Sequence, residues 1–146
     1  MTQREGISPW YRRMVKPWSI DCALLLLRLW FGCVMAFAHG SGKVFGDPAK
    51  LIESVEKMGF PMPEFFAWAA ALAEFLGGLL LILGLGTRAA AIWIAITMAV
   101  AGFITHAADP FKVKELALSY LVIAIVIAIA GPGKWNADRM IFSKRD

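Results

Sequence analysis

Residues 64–108 read EFFAWAAALAEFLGGLLLILGLGTRAAAIWIAITMAVAGFITHAA. The stretch contains two apolar runs, and each is long enough to cross the hydrocarbon core of a bilayer as a helix. Only Gly84-Leu85-Gly86-Thr87-Arg88 separates them, and the glycines favour a tight turn. The stretch therefore predicts two antiparallel membrane helices joined by a short connection.

Two further apolar runs of spanning length flank this pair. The four predicted spans are Pro17–Gly40, Glu64–Gly86, Thr87–Ala108 and Phe111–Gly131, and Asp109-Pro110 separates the last two. Hydrophobic residues make up 59% of the 146 residues and charged residues only 18%, a composition that excludes an ordinary soluble domain. The predicted fold class is all-α, a four-transmembrane-helix bundle.

The segment between the first two spans is longer than a connection requires and has the pattern of a short helix. Asp47 suits the N-terminal cap, Pro48 the first helical position and Gly59 the end. Apolar residues fall on one face and charged residues on the others: Leu51, Ile52, Val55 and Met58 against Lys50, Glu53, Glu56 and Lys57. We predict an amphipathic surface helix over residues 47–59. The chain is then divided into a tail at 1–16, a membrane domain at 17–131 and a tail at 132–146.

Lysine and arginine are distributed unequally between the two sides of this bundle. The side with both tails carries nine of them: Arg4, Arg12, Arg13, Lys16, Arg88, Lys134, Arg139, Lys144 and Arg145. The opposite side carries five: Lys43, Lys50, Lys57, Lys112 and Lys114. The positive-inside rule predicts that both tails are cytoplasmic, N-in and C-in. Because the basic groups flank apolar spans rather than forming a patch, nucleic acid is not an expected partner.

The first apolar run is expected to remain as a helix and to take no part in thiol chemistry. Arg28 interrupts it where the core of a secretory signal is uncharged, so an uncleaved helix is predicted. Cys22 and Cys33 lie eleven residues apart on that helix. The separation is about 16 Å, beyond the reach of a disulfide bond.

Five polar residues within the spans fall on stripes of small residues: Arg28, His39, Glu74, His106 and Tyr120. The stripes follow spacings of three and four: Arg28, Gly32, Met35 and His39; Ala67, Ala70, Ala71, Glu74, Gly77 and Gly78; Ala95, Ala99, Gly102 and His106; Ala117, Tyr120, Ala124, Ala128 and Gly131. Small residues mark the faces through which membrane helices pack. The sequence therefore predicts a polar seam inside the bundle, with an inner layer of Arg28 and Glu74 and an outer layer of His39 and His106.

Arg28 and Glu74 are predicted to form an ion pair. Pairing offsets much of the cost of placing a charge near the centre of a membrane helix. One interpretation is a clasp between helices one and two. The other is a functional group that contacts a polar headgroup or carries a proton, because intramembrane ionisable residues are commonly functional.

The two histidines permit several chemistries near the outer surface. Each can donate a hydrogen bond to a quinone carbonyl or exchange a proton at ordinary pH. We expect both rings to border one pocket, with Gly40 and Gly102 leaving room for a planar headgroup. The alternatives are a b-type haem held between the two rings, or interfacial histidines with water partners. A metal site is not predicted, because two histidines lack a third ligand.

An ordered set of short motifs resembles the DoxX-like (DoxX/DoxD) family of small bacterial membrane proteins. The set comprises Leu27-Arg28-Leu29, His39-Gly40-Ser41-Gly42-Lys43, Ala73-Glu74-Phe75-Leu76-Gly77-Gly78, Leu83-Gly84-Leu85-Gly86-Thr87-Arg88, His106, Gly131-Pro132-Gly133 and Asp138-Arg139. The resemblance implies a multi-pass protein of the bacterial inner (plasma) membrane. It also implies a link to redox complexes, since relatives include a subunit of a thiosulfate:quinone oxidoreductase and membrane partners of thiol-active enzymes.

The leading hypothesis is therefore a quinone-associated membrane subunit of a redox system. Its predicted ligand or proton-transfer residues are Arg28, His39, Glu74 and His106, and the supporting residues are Gly40, Lys43 and Tyr120. Whether the chain is itself an enzyme is left open. The alternatives are a non-catalytic anchor or assembly factor, a haem-binding subunit and a small solute conduit. Expected partners are the lipid bilayer and a partner protein or further copies of the chain.

Overall fold

The computed structural model describes residues 17–142. In chain order its α-helices are α1 (Pro17–Cys33), α2 (Ser41–Phe45), α3 (Ala49–Lys57), α4 (Pro63–Leu83), α5 (Thr87–Val100), α6 (Phe111–Ala130) and α7 (Ala137–Phe142). A π-helical segment, Val34–Gly40, joins α1 to α2, and a second, Ala101–Thr105, extends α5. The predicted tail at 1–16 and residues 143–146 lie outside the described residues.

Four helical stretches within residues 17–142 are long and apolar enough to cross a membrane: Ser19–Phe45, Pro63–Leu83, Thr87–Thr105 and Phe111–Ala130. They confirm the predicted all-α bundle of four transmembrane helices. The first stretch continues to Phe45, beyond the predicted end at Gly40, because Gly40 keeps a helical φ of −78°. Lys43 therefore lies on the first spanning helix, one turn beyond His39, rather than in a loop.

The hairpin between α4 and α5 owes its tightness to glycines in left-handed conformations. Gly84 follows α4 with a φ of 70°, and Gly86 precedes α5 with a φ of 53°. The amide of Leu85 donates to the carbonyl of Leu80 at 3.0 Å, as in a helix end closed by a left-handed glycine. We call the end of the bundle with this hairpin, the start of α1 and the end of α6 the tail end. The opposite end, with α2 and α3, is the loop end.

The predicted surface helix is confirmed as α3, at the loop end. The Asp47 carboxylate accepts a hydrogen bond from the amide of Ala49 at 2.9 Å, and Gly59 follows with a φ of 78°. Val55 is 5% exposed, and α3 packs against α4 while its charged residues remain exposed. The helix is thus amphipathic and covers one side of the second span.

Small residues bring the first two spanning helices into close contact. A Cβ atom added to Gly32 would lie 2.7 Å from the carbonyl oxygen of Gly78, and one added to Gly78 would lie 2.7 Å from that of Gly32. All four spanning helices then contribute to one apolar core: Phe31, Met35, Leu81, Ala90, Ala91, Ile94, Met98, Ala124 and Ile127. This packing places Arg28, Glu74 and the His39–Tyr120 contact between helices, whereas His106 is partly exposed.

Candidate functional site

Glu74 is the buried carboxylate of the bundle, and its partner is Lys43. The side chain of Glu74 lies midway along α4 and is 3% exposed. The ammonium group of Lys43 lies 2.6 Å from each carboxylate oxygen. Lys43 itself is 35% exposed, so the pair connects the packed interior with the surface at the loop end. A charge-assisted pair of this kind is the usual way to keep a carboxylate out of water.

The predicted ion pair between Arg28 and Glu74 is wrong. Arg28 is fully buried and donates to two backbone carbonyls, that of Leu81 at 3.2 Å and that of Trp135. The Leu81 carbonyl belongs to the last turn of α4, where it also accepts from the Gly84 amide at 3.2 Å. Carbonyls at the C-terminal end of a helix carry partial negative charge and so attract a cation. Seven residues, about 10 Å of helix, separate Leu81 from Glu74. No sequence pattern marks these two acceptors, because every residue has a backbone carbonyl.

His39 lies against Tyr120 of the fourth spanning helix. The ring centroids are 5.4 Å apart and the planes are inclined at 80°, an edge-to-face arrangement. Both residues are half-buried. Within residues 17–142, no hydrogen bond involves the imidazole nitrogens of His39 or the phenol of Tyr120. The imidazole and the phenol are therefore adjacent, and neither has a hydrogen-bond partner among the described residues.

His39 and the ion pair belong to the same region. His39 and Lys43 are four residues apart on the first spanning helix, and Gly40 between them lies against the backbone of Phe75, the neighbour of Glu74. The close approach at Gly40 is possible only without a side chain. We call His39, Lys43, Glu74 and Tyr120 the loop-end cluster. Its members come from three of the four spanning helices.

His106 has a local partner instead. Its Nδ1 lies 2.7 Å from the Asp109 carboxylate, three residues further along the chain, and both side chains are partly exposed. His106 follows the second π-helical segment directly, as His39 lies within the first. π-Helical turns are common at functional sites because they re-aim side chains. Both histidines therefore occur where the helical spacing of three and four is interrupted.

The space beside the two glycines that were expected to leave room for a ligand is occupied by neighbouring helices. A Cβ atom on Gly40 would overlap the backbone of Phe75, and one on Gly102 would lie 2.8 Å from the Cδ2 atom of Leu118. The prediction that Gly40 and Gly102 leave space for a planar headgroup is wrong. Both glycines serve helix packing, which sequence alone does not distinguish from a ligand pocket.

The side chains that commonly bind metals do not form a cluster in the described part of the bundle. No group of three or more His, Cys, Asp and Glu side chains is close enough to hold a metal ion within residues 17–142. The residues of the loop-end cluster suit a different kind of ligand. Imidazole, phenol and ammonium groups provide hydrogen-bond donors for a carbonyl oxygen.

Comparison with known proteins agrees with this architecture. A model of the DoxX family matches residues 23–107, which include Arg28, His39, Lys43, Glu74 and His106. The chain belongs to the DoxX family. As a DoxX protein with four spanning helices, it is a multi-pass membrane protein. The matched region ends before Tyr120, which α6 contributes to the loop-end cluster.

Two relatives of this DoxX protein match most of its length. An uncharacterized protein of Haemophilus influenzae is 32% identical over 117 residues, which cover 75% of this chain and 84% of the relative. A Bacillus subtilis protein named "Putative oxidoreductase CatD" is 30% identical over 125 residues, which cover 85% of this chain and 90% of the relative. No solved structure matches the chain.

Proposed function

We propose that this DoxX protein is a quinone-associated membrane subunit of a redox system and that the loop-end cluster is its quinone site. The observation that carries the proposal is the adjacent pair of half-buried groups without protein partners, the imidazole of His39 and the phenol of Tyr120. The name of the Bacillus subtilis relative, an oxidoreductase, supports the same class.

Each member of the cluster has a definable role in this proposal. A quinone accepts two electrons and two protons when it becomes a quinol. His39 donates a hydrogen bond to one quinone carbonyl, and Tyr120 orients the imidazole through its ring. The Lys43–Glu74 pair holds a transferable proton on the path to the loop-end surface. In this proposal a partner redox protein supplies the two electrons.

His106 and Arg28 lie outside the proposed quinone site. The His106–Asp109 pair is partly exposed at the loop end, where it exchanges protons with water. Arg28 is bound to backbone carbonyls of α4 and of the segment before α7, so we assign it to the architecture of the tail end. The orientation that places the loop end outside the cytoplasm is part of this proposal.

The test is a titration of the purified protein with a short-chain quinone, followed by tryptophan fluorescence. We expect His39→Leu to weaken binding about tenfold or more, because a quinone carbonyl loses its donor in a partly buried site. Tyr120→Phe should weaken it less, since the ring contact remains. His106→Leu is the matched control and should bind as the unchanged protein does.

Co-purifying molecules discriminate among the alternatives. A quinone in the lipid extract supports the proposal, whereas an intense haem absorption band would assign the histidines to haem. Equal quinone affinity in the His39→Leu protein and the unchanged protein would contradict the proposed site. Absence of both quinone and haem, together with no titratable binding, would favour the anchor or assembly factor.

A further inference from the structure

A second candidate site lies at the tail end, far along the bundle from the loop-end cluster. A groove of about 800 Å³ lies between the middle of α1, the end of α4, the segment that leads into α7, and α7 itself. One wall is apolar and consists of Leu25, Ile82 and Leu83. The other side carries Lys134, Trp135 and Arg139. We call this groove the tail groove.

Hydrogen bonds attach the polar side of the tail groove to the bundle. Arg28 donates to the carbonyl of Trp135, and the amide of Asp138 donates to the carbonyl of Gly84 at 3.3 Å. The carboxylate of Asp138 accepts from the amide of Gly86 at 2.9 Å. The groove is therefore a preformed cleft between fixed elements rather than a gap beside a loose tail.

Of the two cations at the tail groove, one is paired with a carboxylate but exposed, and the other has no acidic partner within residues 17–142. Asp21 lies 3.5 Å from the Lys134 ammonium, but Lys134 remains 58% exposed. Asp138 is bound to the Gly86 amide, and the guanidinium of Arg139 makes no ion pair with any described residue. Behind the groove, Arg28 is a fully buried cation bound only to carbonyls, and its Nε has no partner within residues 17–142.

We propose that the tail groove binds an anionic phospholipid, with the phosphate at Lys134 and Arg139 and an acyl chain along Leu25, Ile82 and Leu83. The apolar wall belongs to helices that cross the membrane, and Leu83 is 59% exposed. The cations lie just beyond the end of the span, at the level of the headgroups, with Trp135 half exposed beside them. Basic pockets between membrane helices recognise anionic headgroups in this way.

Native mass spectrometry of the full chain in detergent tests the proposal directly. Phosphatidylglycerol and phosphatidylcholine with identical acyl chains are added separately, and the fraction of lipid-bound protein is measured for each. We expect preferential retention of phosphatidylglycerol. In the variant Lys134→Gln/Arg139→Gln, the preference should fall by about fivefold for each cation removed. Both substitutions keep the backbone hydrogen bonds of Lys134 and Arg139.

The controls separate a site from general attraction between charges. Lys112→Gln removes an exposed cation at the loop end and should leave the preference unchanged. Ile82→Asn inserts a polar group into the apolar wall and should reduce binding of both lipids. Soluble glycerophosphoglycerol should not displace the lipid, because it lacks the acyl chain. Equal retention of the two lipids by the unchanged protein, or equal losses in the double variant and in Lys112→Gln, would overturn the proposal.

Discussion

At the scale of single residues, the two buried charges of this bundle are satisfied in different ways. Glu74 forms an ion pair with Lys43, and both of its carboxylate oxygens accept from the same ammonium group. Arg28 donates hydrogen bonds to the carbonyl of Leu81, at the end of α4, and to that of Trp135, in the segment before α7. The difference follows from position, since Arg28 lies beside the negative end of the α4 helix dipole and Glu74 lies midway along that helix. A buried charge accordingly does not require an opposite charge if enough dipoles surround it.

The pairing of Lys43 with Glu74 leads to a prediction for a double-mutant cycle. Lys43→Leu leaves a buried carboxylate without its partner and should lower the free energy of unfolding by about 3 kcal/mol. The double variant Lys43→Leu/Glu74→Leu should be more stable than the sum of the single losses implies, by about 1 kcal/mol or more. Thermal unfolding in detergent measures all four proteins.

The controls for this cycle come from the same chain. Lys57→Leu breaks the exposed pair with Glu53 and should hardly change the melting temperature. Arg28→Leu and Glu74→Leu should give additive losses, because the two residues share no partner. Additive losses for Lys43 and Glu74 would show instead that their contact contributes nothing.

At the scale of helices, the first spanning helix joins both sites of the molecule. Its α1 part provides Arg28 and the wall of the tail groove at Leu25. Its π-helical segment provides His39, and α2 provides Lys43. The helix reaches this length because Gly40 permits contact with α4 without ending the helix. A loop after Gly40 would not hold Lys43 at Glu74.

Two glycines of this helix give a matched pair of substitutions. Gly40→Ala places a methyl group against the backbone of Phe75, which cannot move away as a side chain would. We expect a loss of about 1–3 kcal/mol in stability. Gly42→Ala meets nothing within 4 Å and should be neutral or stabilising by up to about 1 kcal/mol, because alanine favours the helix.

Thermal unfolding of the two variants measures this difference, and binding of the short-chain quinone provides a second readout. Gly40→Ala should also weaken quinone binding, since it shifts His39 and Lys43 relative to α4. If both alanine variants unfold at the same temperature, the helices do not approach at Gly40.

At the scale of the whole molecule, the two ends differ in chemistry. The tail end contains the tail groove with its cations Lys134 and Arg139, and the loop end contains the loop-end cluster and the amphipathic helix α3. This division matches the asymmetry of lysine and arginine in the sequence. If the tail end faces the cytoplasm, the anionic lipids of the cytoplasmic leaflet are available to the tail groove, and the loop-end cluster exchanges protons with the outer side.

The orientation can be tested with two reporters. A phosphatase that is active only outside the cytoplasm should be inactive when fused after Asp146. The same enzyme inserted near Lys50, on α3, should be active. A fluorescent protein that folds only in the cytoplasm should give the opposite pattern at these two positions. If phosphatase activity is found at Asp146 and not near Lys50, the loop-end cluster faces the cytoplasm.

The sequence alone determined the architecture of this protein. Apolar length predicted the four spans, and the spacing of small residues identified packed faces on the first, second and fourth of them, because lipid imposes both requirements on every membrane helix. On the third span the buried residues include Ala91, Ile94 and Met98, whereas Ala95 and Ala99 of the predicted stripe are only partly buried. Particular residues show the same for local structure: Asp47 and Gly59 marked the surface helix, and Gly84 marked the hairpin. The stripes also showed that Arg28, His39, Glu74 and Tyr120 lie within the bundle.

Only the tertiary structure decided which of these residues meet. Counting residues along each helix placed Arg28 and Glu74 at depths that an arginine side chain could bridge, yet Glu74 pairs with Lys43 because the first helix continues through Gly40. Arg28 bonds to carbonyls of Leu81 and Trp135, acceptors that every sequence contains and no pattern reveals. Periodicity fixes the direction of a side chain from its own helix. The partner depends on the rotation and relative depth of two helices and on where each ends, and those are set by the packing of the whole bundle.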